Sequence, residues 1–468
     1  PFTNHASARR NPQIVQDYIN KHLQTHAVYG PFEVNPLDQR VIVSPLQVAF
    51  SNAGKPRVCN DLSFSDFSVN SCISDEWNEF PGYSGDLELP SIDDLVQAIL
   101  DRGKGCLLWK TDFSAYYKQL NSDPGDLPLL SFAYAGKLYF EARLPFGLRS
   151  SCLNAQLQRV TKAVIKIFRS ISRAFCAGYI DDVVAVSLAI AAAEDYDSFI
   201  LLCEELGLGL TLPKCVCPCF SLVWIGIEAD TQEMKLCLPP NKLSRILDML
   251  RQWLLKKSAA KRDLQVLLGV MNHVASILIV CRAFTGFVID LLRADKFPVV
   301  LTVELFKDVQ IWIDMLCSDI VSGNTMKSPL LIPCDHIVQV AFAGYFFAVS
   351  ILGEVHMFHI KDEVDLWSKV AYVYAFWQAS ILAAHRFPGT WLTCTVLTHS
   401  DVLVVNRAKN VIPELRPMVR HTWCLQAQFD MCIRAKKGMC CREIDSLVAE
   451  ATHAQEVSIN DVPDKYFV

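Results

Sequence analysis

Two aspartates stand side by side in AGYIDDVVAV (177–186), inside an otherwise apolar, β-branched run. Carboxylates in such a setting are costly unless a cation meets them. Two so close also repel, so one takes a proton unless a cation bridges the pair. Either Asp181 and Asp182 lie on an exposed turn, or they hold a metal. A third acid, Asp112, ends another short apolar run, LLWKTDF. A hairpin around YIDD can lay Asp181 beside a strand carrying Asp112, converging three carboxylates at one sheet edge. Such an oxygen-only set suits Mg²⁺ or Mn²⁺. Two ions about 3.5–4 Å apart clamp the attacking and leaving oxygens of an in-line phosphoryl displacement. Aspartate is equally at home in solvated turns, and YIDD by itself favours that plainer reading.

Positioning these acids requires short strands and covering helices. Residues 11–29 read as a polar-faced helix closed by Gly30-Pro31, and 41–73 as β-branched runs separated by turns such as Asn52-Ala53-Gly54. GCLLWKTDFSAYYKQL (105–120) reads as a strand entering a helix, and LLSFAYAGKLYFEARL (129–144) as a hairpin turning at Ala135-Gly136. Helical spacing predicts a helix from about Ser151 to Ile171 and another over 190–206, flanking two strands around the aspartates. Residues 242–274 read as two helices joined near Ser258. The last third, from Ser328-Pro329, reads as strands, a helix over 366–386, a strand over 394–405 and further helices.

The chain has 468 residues, 51% hydrophobic and 20% charged, enough apolar material for roughly two or three domains and too little polarity for wholesale disorder. A net charge of −5 gives no global sign of a nucleic-acid partner, so any basic surface must be local. Its 18 scattered cysteines, with no signal-peptide pattern, read as reduced thiols of an intracellular protein, with cytoplasm or nucleus open. Apolar stretches near 273–292 and 370–385 are interrupted by His273, Arg282, Asp290 or Gln378, so no membrane span is expected. A start at Pro1 suggests an excised piece of something longer.

Asp112, LPFGLRSS (144–151) and YIDD (179–182) occur in the order and spacing of reverse transcriptases, a combination far more specific than any one motif. GPFEV (30–34), SPLQVAF (44–50), GKPRVCNDLSFSDFSVNSCI (54–73), LTLPKC (210–215) and WIGIEAD (224–230) resemble retrotransposon polymerases. With DLQVLLG (263–269) added, the sequence is most similar to the tyrosine-recombinase, DIRS-like group. The resemblance covers 12–296 well and the remainder weakly. It implies an α+β right-hand polymerase fold of fingers, palm and thumb, followed by a ribonuclease H-like α/β domain. The expected boundaries are 1–235 for fingers and palm, 236–327 for thumb and connection helices, 328–450 for a degenerate ribonuclease H-like domain, and 451–468 for a tail.

The resemblance further implies an RNA-directed DNA polymerase acting on an RNA or DNA template with a primer strand. Its substrates would be deoxynucleoside triphosphates and its cofactors two Mg²⁺ (or Mn²⁺) ions. Asp112 and Asp181 would be principal metal ligands, with Asp182 alongside. Arg57 would bind the triphosphate with its guanidinium fork. Tyr117 would lie beneath the sugar, and Phe146 and Gly147 would line the nucleotide pocket. Lys214 would donate a proton to pyrophosphate. Trp224, Ile225 and Gly226 would hold the primer end. Taken singly, Arg57 reads as a surface cation, Tyr117 as a core aromatic and Lys214 as a strand-end charge. Three departures stand out: Ala49-Phe50 replaces a usual Pro-Lys, Tyr116 a small Ala, and Cys152 a common Pro. They leave a rival of another class open, a decayed or domesticated nucleic-acid-binding scaffold that keeps the fold.

From 242 to 262, Lys242, Arg245, Arg251, Lys256, Lys257, Lys261 and Arg262 face the single acid Asp248. A helix so divided would grip a phosphate backbone without reading sequence, or would simply be a solvated face. We place Lys256, Lys257 and Lys261 among the primer- and template-binding residues. In the last third, LLIPCD (330–335), VLTHSD (396–401) and GMCCREIDSLVAE (438–450) resemble ribonuclease H strands and tail, giving Asp335, Asp401 and Asp445 as its carboxylates. Tyr372 stands where a glutamate is expected, which implies an impaired or inactive nuclease; Glu363 or Asp365 are candidate substitutes that no motif supports. Cys215, Cys217 and Cys219 alternate along a strand and read as small buried hydrophobes rather than a zinc site, as do Cys440 and Cys441.

Overall fold

The computed structural model describes residues 3–51, 54–73, 89–153, 160–318, 324–326, 337–362, 368–388, 391–396, 413–429, 431–437, 448 and 453–463. The chain forms two compact units, one of residues 1–91 and 105–220, the other of 92–104 and 221–468.

In the first unit, β1 (Val28–Phe32), β2 (Val43–Ser44), β3 (Leu46–Phe50) and β4 (Pro56–Asn60) precede the strand that carries the first acid, β5 (Leu107–Asp112). Next come β6 (Ser131–Tyr134), β7 (Lys137–Glu141), β8 (Phe175–Tyr179), β9 (Asp182–Ser187) and β10 (Val216–Cys219). One sheet has the order β1-β7-β6-β2, β3 and β4 form a ribbon, and the acids lie on a third sheet ordered β10-β5-β9-β8. The hairpin at Ala135-Gly136 is present, with both residues in the left-handed region its turn demands.

The third sheet owes its position to an aromatic core. The helix Thr161–Ile171 buries Thr161, Val164, Ile165 and Phe168, one face at helical spacing. Together with the helix Ala192–Glu205, which buries Phe199 and Cys203, it packs on the sheet around Trp109. Trp109 meets Phe168 edge-on at 5.8 Å, and its Nε1 donates to Ser187 Oγ across the strands at 3.0 Å. Truncating such a buried aromatic typically costs about 3–5 kcal/mol, enough to loosen the edge where the acids sit.

Several boundaries differ from the sequence reading. The first long helix is Pro12–Gln24, and the chain then extends as β1 because Val28 and Tyr29 pair with Glu141 and Phe140. After β5 the chain forms only a short 3₁₀ turn, Tyr116–Gln119, since Ala115 adopts φ 43° and breaks any continuous helix. Helix over 151–171 is observed as Arg149–Leu153 and Thr161–Ile171, with 154–159 outside the described residues.

The second unit takes in the helix Ile92–Arg102 and, from residue 221, β11 (Ser221–Trp224), β12 (Ile227–Asp230) and β13 (Lys235–Cys237), an antiparallel meander. The helices Pro240–Trp253 and Lys261–Val274 follow, joined by a connection that includes β14 (Ser258–Ala259), paired with β15 (Val299–Val300). Beyond the helix Val303–Cys317, β16 (Asn324–Thr325) pairs with β13. The last third is one mixed sheet: β17 (Ile337–Ala343), β18 (Phe346–Ile351), β19 (Glu354–Ile360), β20 (Trp391–Val396), β21 (Cys432–Lys437) and β22 (Gln455–Val457). Its order is β21-β20-β17-β18-β19-β22, antiparallel from β17 to β19 and parallel at β17–β20, β20–β21 and β19–β22. Of the strand predicted over 394–405 only 394–396 are described, within Trp391–Val396, and the helix predicted over 366–386 is seen as Ser368–Arg386; 366–367 and 397–405 lie outside the described residues. Among the described residues, no helix is long and apolar enough to cross a membrane.

Candidate active site

β5 and β9 pair antiparallel with Asp112 directly opposite Asp182, so the two side chains leave the same face of the sheet. The sequence reading put both aspartates at the turn. Instead Ile180 and Asp181 form it, because Tyr179 pairs with Asp182. Ile180 takes φ 57°, a conformation a β-branched residue rarely adopts and one that concentrates at functional sites. The Asp181 carbonyl accepts from Phe113 N at 2.9 Å, which pins the turn to the end of β5. Asp112 is thus beside the YIDD hairpin, and the three acids share one sheet edge.

Charge accumulates there. Burial first, then neighbouring Asp181, raises Asp182 to about 6. Asp181 is raised by burial and by Asp112, while Lys214 and Arg57 act in the opposite direction. Lys214 donates to both Asp112 oxygens, at 2.8 and 2.7 Å, from a side chain 60% exposed onto a carboxylate only 6% exposed. That hydrogen bond raises the Lys214 pKa and keeps its ammonium charged. Among the described residues, no three His, Cys, Asp or Glu side chains stand arranged to hold an ion.

A second group of predicted residues converges next to the acids. Arg57, on β4, lies over the Phe146 ring at 5.9 Å, and Tyr117 meets that ring at 5.1 Å. Gly147 takes φ 107°, and a Cβ there would fall 2.0 Å from the Asn60 carbonyl, so this backbone crossing admits only glycine. Asn60 N donates to Phe146 O at 3.1 Å, closing the loop onto β4. Arg57 and Phe146 also face Tyr18, Lys21 and Lys118 across a cavity of about 330 Å³. Sequence alone did not single out these last three. Lys118 is consumed by a buried pair with Glu141 at 2.5 Å, and Tyr18 donates to that same carboxylate.

Other missed residues carry a readable signal. Lys110, two positions before Asp112, shares its face by strand alternation and lowers Asp182. Tyr116 is not an obstruction in the pocket. It stacks on Phe113 at 4.7 Å inside the core and its hydroxyl pairs with Thr161 Oγ1 at 2.6 Å, so the larger residue fills space beneath the sheet. Asn60 is buried, and its side-chain amide finds no partner among the described residues.

The remaining predicted residues fall in three groups. Trp224 is buried, only 1% exposed, and anchors the β11–β12 turn from beneath; Ile225 and Gly226 form the accessible part. The basic residues do not form one helical stripe. Lys256 and Lys257 lie beyond the helix ending at Trp253, where Lys256 pairs with Asp263 at 3.3 Å and covers the Trp253 ring at 4.5 Å. Lys261 starts the next helix, over Phe297 at 5.8 Å. Asp335, Asp401 and Asp445, with Glu363, Asp365, Cys440 and Cys441, lie outside the described residues. Cys215 and Cys219 are only partly buried and Cys217 is exposed, against the expected burial, because β10 is the edge strand of its sheet.

No protein-family model matches the chain, and neither does any curated protein. Solved structures do. The foamy viral protease-reverse transcriptase in complex with dsDNA superposes with a TM-score of 0.53 at 14% identity, over 99% of this chain and 86% of that one. A form of it designated dRH, in complex with double-stranded DNA, gives 0.53 at 13% identity over 94% and 71%. Its complex with an RNA/DNA hybrid gives 0.52 at 14% over 99% and 57%. The fold is that of a reverse transcriptase. Within this reverse transcriptase-like fold, the acids and the Arg57–Phe146–Tyr117 group occupy a single unit of the chain.

Proposed function

We propose that the chain is an RNA-directed DNA polymerase that extends a primer 3′-OH with deoxynucleoside triphosphates, and that it derives from a retrotransposon of DIRS-like type. The observation that carries this reading is the register of Asp112 against Asp182 with Asp181 in the adjoining turn. In this reading β5, β8, β9 and β10 are the palm, the preceding strands the fingers, and the helices after Pro240 the thumb.

The donor set fits a hard divalent cation: three carboxylates, no softer ligand, with the Asp181 and Asp182 pKa values raised by burial first and by the neighbouring carboxylates next. Asp112, Asp181 and Asp182 would hold Mg²⁺ or Mn²⁺, which when bound supplies activation of the primer hydroxyl and neutralisation of the triphosphate. Lys214, which pairs with Asp112, would yield that carboxylate to the ion and would serve as a proton donor to the departing pyrophosphate. Arg57 binds the triphosphate. Phe146 and Gly147 wall the pocket, and Tyr117, held against Phe146, limits space at the sugar.

The sheet order of the last third, three antiparallel strands followed by two parallel ones on the β17 side, supports a ribonuclease H-like domain. With Tyr372 at the expected acid, it is degenerate. The scaffold reading draws on one observation: Ala49 and Phe50 are exposed and bring no cation to the triphosphate. Primer extension by the whole chain on RNA and DNA templates separates the two. Mg²⁺-dependent incorporation is expected. Its absence from folded protein that still binds the primed template supports the scaffold.

A further inference from the structure

The turn joining β11 to β12 is held in an unfavourable shape by two side chains from elsewhere in the same unit. Its central residues, Ile225 and Gly226, both sit in the left-handed region, with φ 43° and 79°. That is the geometry of a tight two-residue hairpin, but a β-branched residue at its first position is strained and persists only where the surroundings impose it. The surroundings are on the page. Lys242, from the first turn of the helix Pro240–Trp253, donates to the Gly226 carbonyl at 3.1 Å. The same ammonium meets Nε2 of His273, from the helix Lys261–Val274, at 2.5 Å. Gly226, at φ 79°, occupies a backbone conformation that favours glycine, with Lys242 Nζ packed against it. Trp224 closes the turn from the buried side.

We infer that Lys242 and His273 are positioning residues that hold the Ile225-Gly226 turn in one conformation for the sugar-phosphate backbone of a nucleic-acid strand. This rests on the polymerase reading, in which that strand is the primer, and it takes Lys242 out of the set of solvent-facing phosphate cations. Lys242 and His273 are themselves half-buried and reach the turn through polar atoms, so what they contribute there is its geometry. Neither residue touches the reacting atoms.

The experiment is primer extension by the full chain on a DNA-primed RNA template, with thermal unfolding of each variant measured alongside. Lys242→Met loses a charged hydrogen bond to the turn and should raise KM for primed template about tenfold, leaving kcat within about twofold. Lys242→Arg, which keeps a charged donor, should recover most of that loss. Ile225→Gly removes the strain, and should hold or raise the melting temperature while still raising KM, a split that a purely structural turn would not give. If Lys242→Met unfolds the chain, Lys242→Arg and Ile225→Gly still decide the matter. An active parent enzyme whose KM is unchanged in Ile225→Gly and in whichever Lys242 variant folds overturns the inference. An inactive parent overturns the polymerase reading instead. Fluorescence anisotropy with the same duplex then tests the clamp, and equal affinity of parent and variants overturns it.

Discussion

Asp112 and Asp308 each hold a basic side chain, and the two pairs differ in what surrounds them. Asp308 and Arg420 are 1% and 3% exposed, 3.0 Å apart, with Glu304 accepting from the same guanidinium at 2.6 Å. Burial still raises Asp308 to about 7. The pair joins the helices Val303–Cys317 and Arg416–Gln428, and water cannot replace either partner. At Asp112 the carboxylate is equally buried, but its lysine is largely in solvent. Lys214 can leave Asp112 for water, and in the proposed reading a divalent cation would take its place. A buried acid with a removable partner marks a site for exchange; one with a sealed partner marks a structural joint.

Mutation should separate the two pairs most sharply through activity. Asp112→Asn or Asp181→Asn should lower nucleotide incorporation at least about a thousandfold with the fold intact by circular dichroism, since two-metal chemistry needs the full set. Asp308→Asn should leave the rate per folded molecule unchanged. The stability contrast comes next. Arg420→Met strands a buried carboxylate and should cost about 3–5 kcal/mol in denaturant unfolding. Lys214→Met breaks a half-exposed pair and should cost no more than about 1 kcal/mol, yet slow incorporation about a hundredfold if it is the proton donor.

Titration sharpens the same contrast. Without a cation, Asp182 binds its proton more tightly folded than unfolded, so its contribution is full at low pH and lost as pH rises through about 6. Asp182→Asn should therefore stabilise the metal-free chain by about 1–2 kcal/mol at pH 7.5 and scarcely at pH 4. A pH effect of the opposite sign comes from His421, which accepts from Trp377 Nε1 at 3.0 Å and is pushed down to about 4 by burial. The unfolded chain binds the extra proton between about pH 4 and 6.5, so stability falls as pH drops through that window, by up to about 1.4 kcal/mol per unit. His421→Gln should flatten that slope in unfolding titrations.

How far these features were legible in the sequence follows from how local their causes are. The hairpin at 131–141 and the strands around YIDD show in apolar alternation and turn residues, which act over a few positions. The convergence of Arg57, Tyr117 and Phe146 emerged only from ordered motifs, since the contacts span up to 89 positions of chain, the separation of Arg57 from Phe146. The opposition of Asp112 and Asp182 needed the register of β5 on β9. A one-residue slip would have sent one acid to the other face. The inward turn of Lys242 was not legible at all: a lysine on an amphipathic helix looks solvated until its partner, 31 residues on, is seen beside it. The core position of Tyr116 was equally hidden, its partner Thr161 lying on a helix 45 residues away.

The most direct measurement is Mn²⁺ binding followed by electron paramagnetic resonance on the full chain, with Asp181→Asn and Asp308→Asn alongside. The account predicts saturable binding by the parent, unchanged in Asp308→Asn and abolished in Asp181→Asn. Equal binding by all three proteins, or none by folded parent in the presence of primed template and nucleotide, would contradict it.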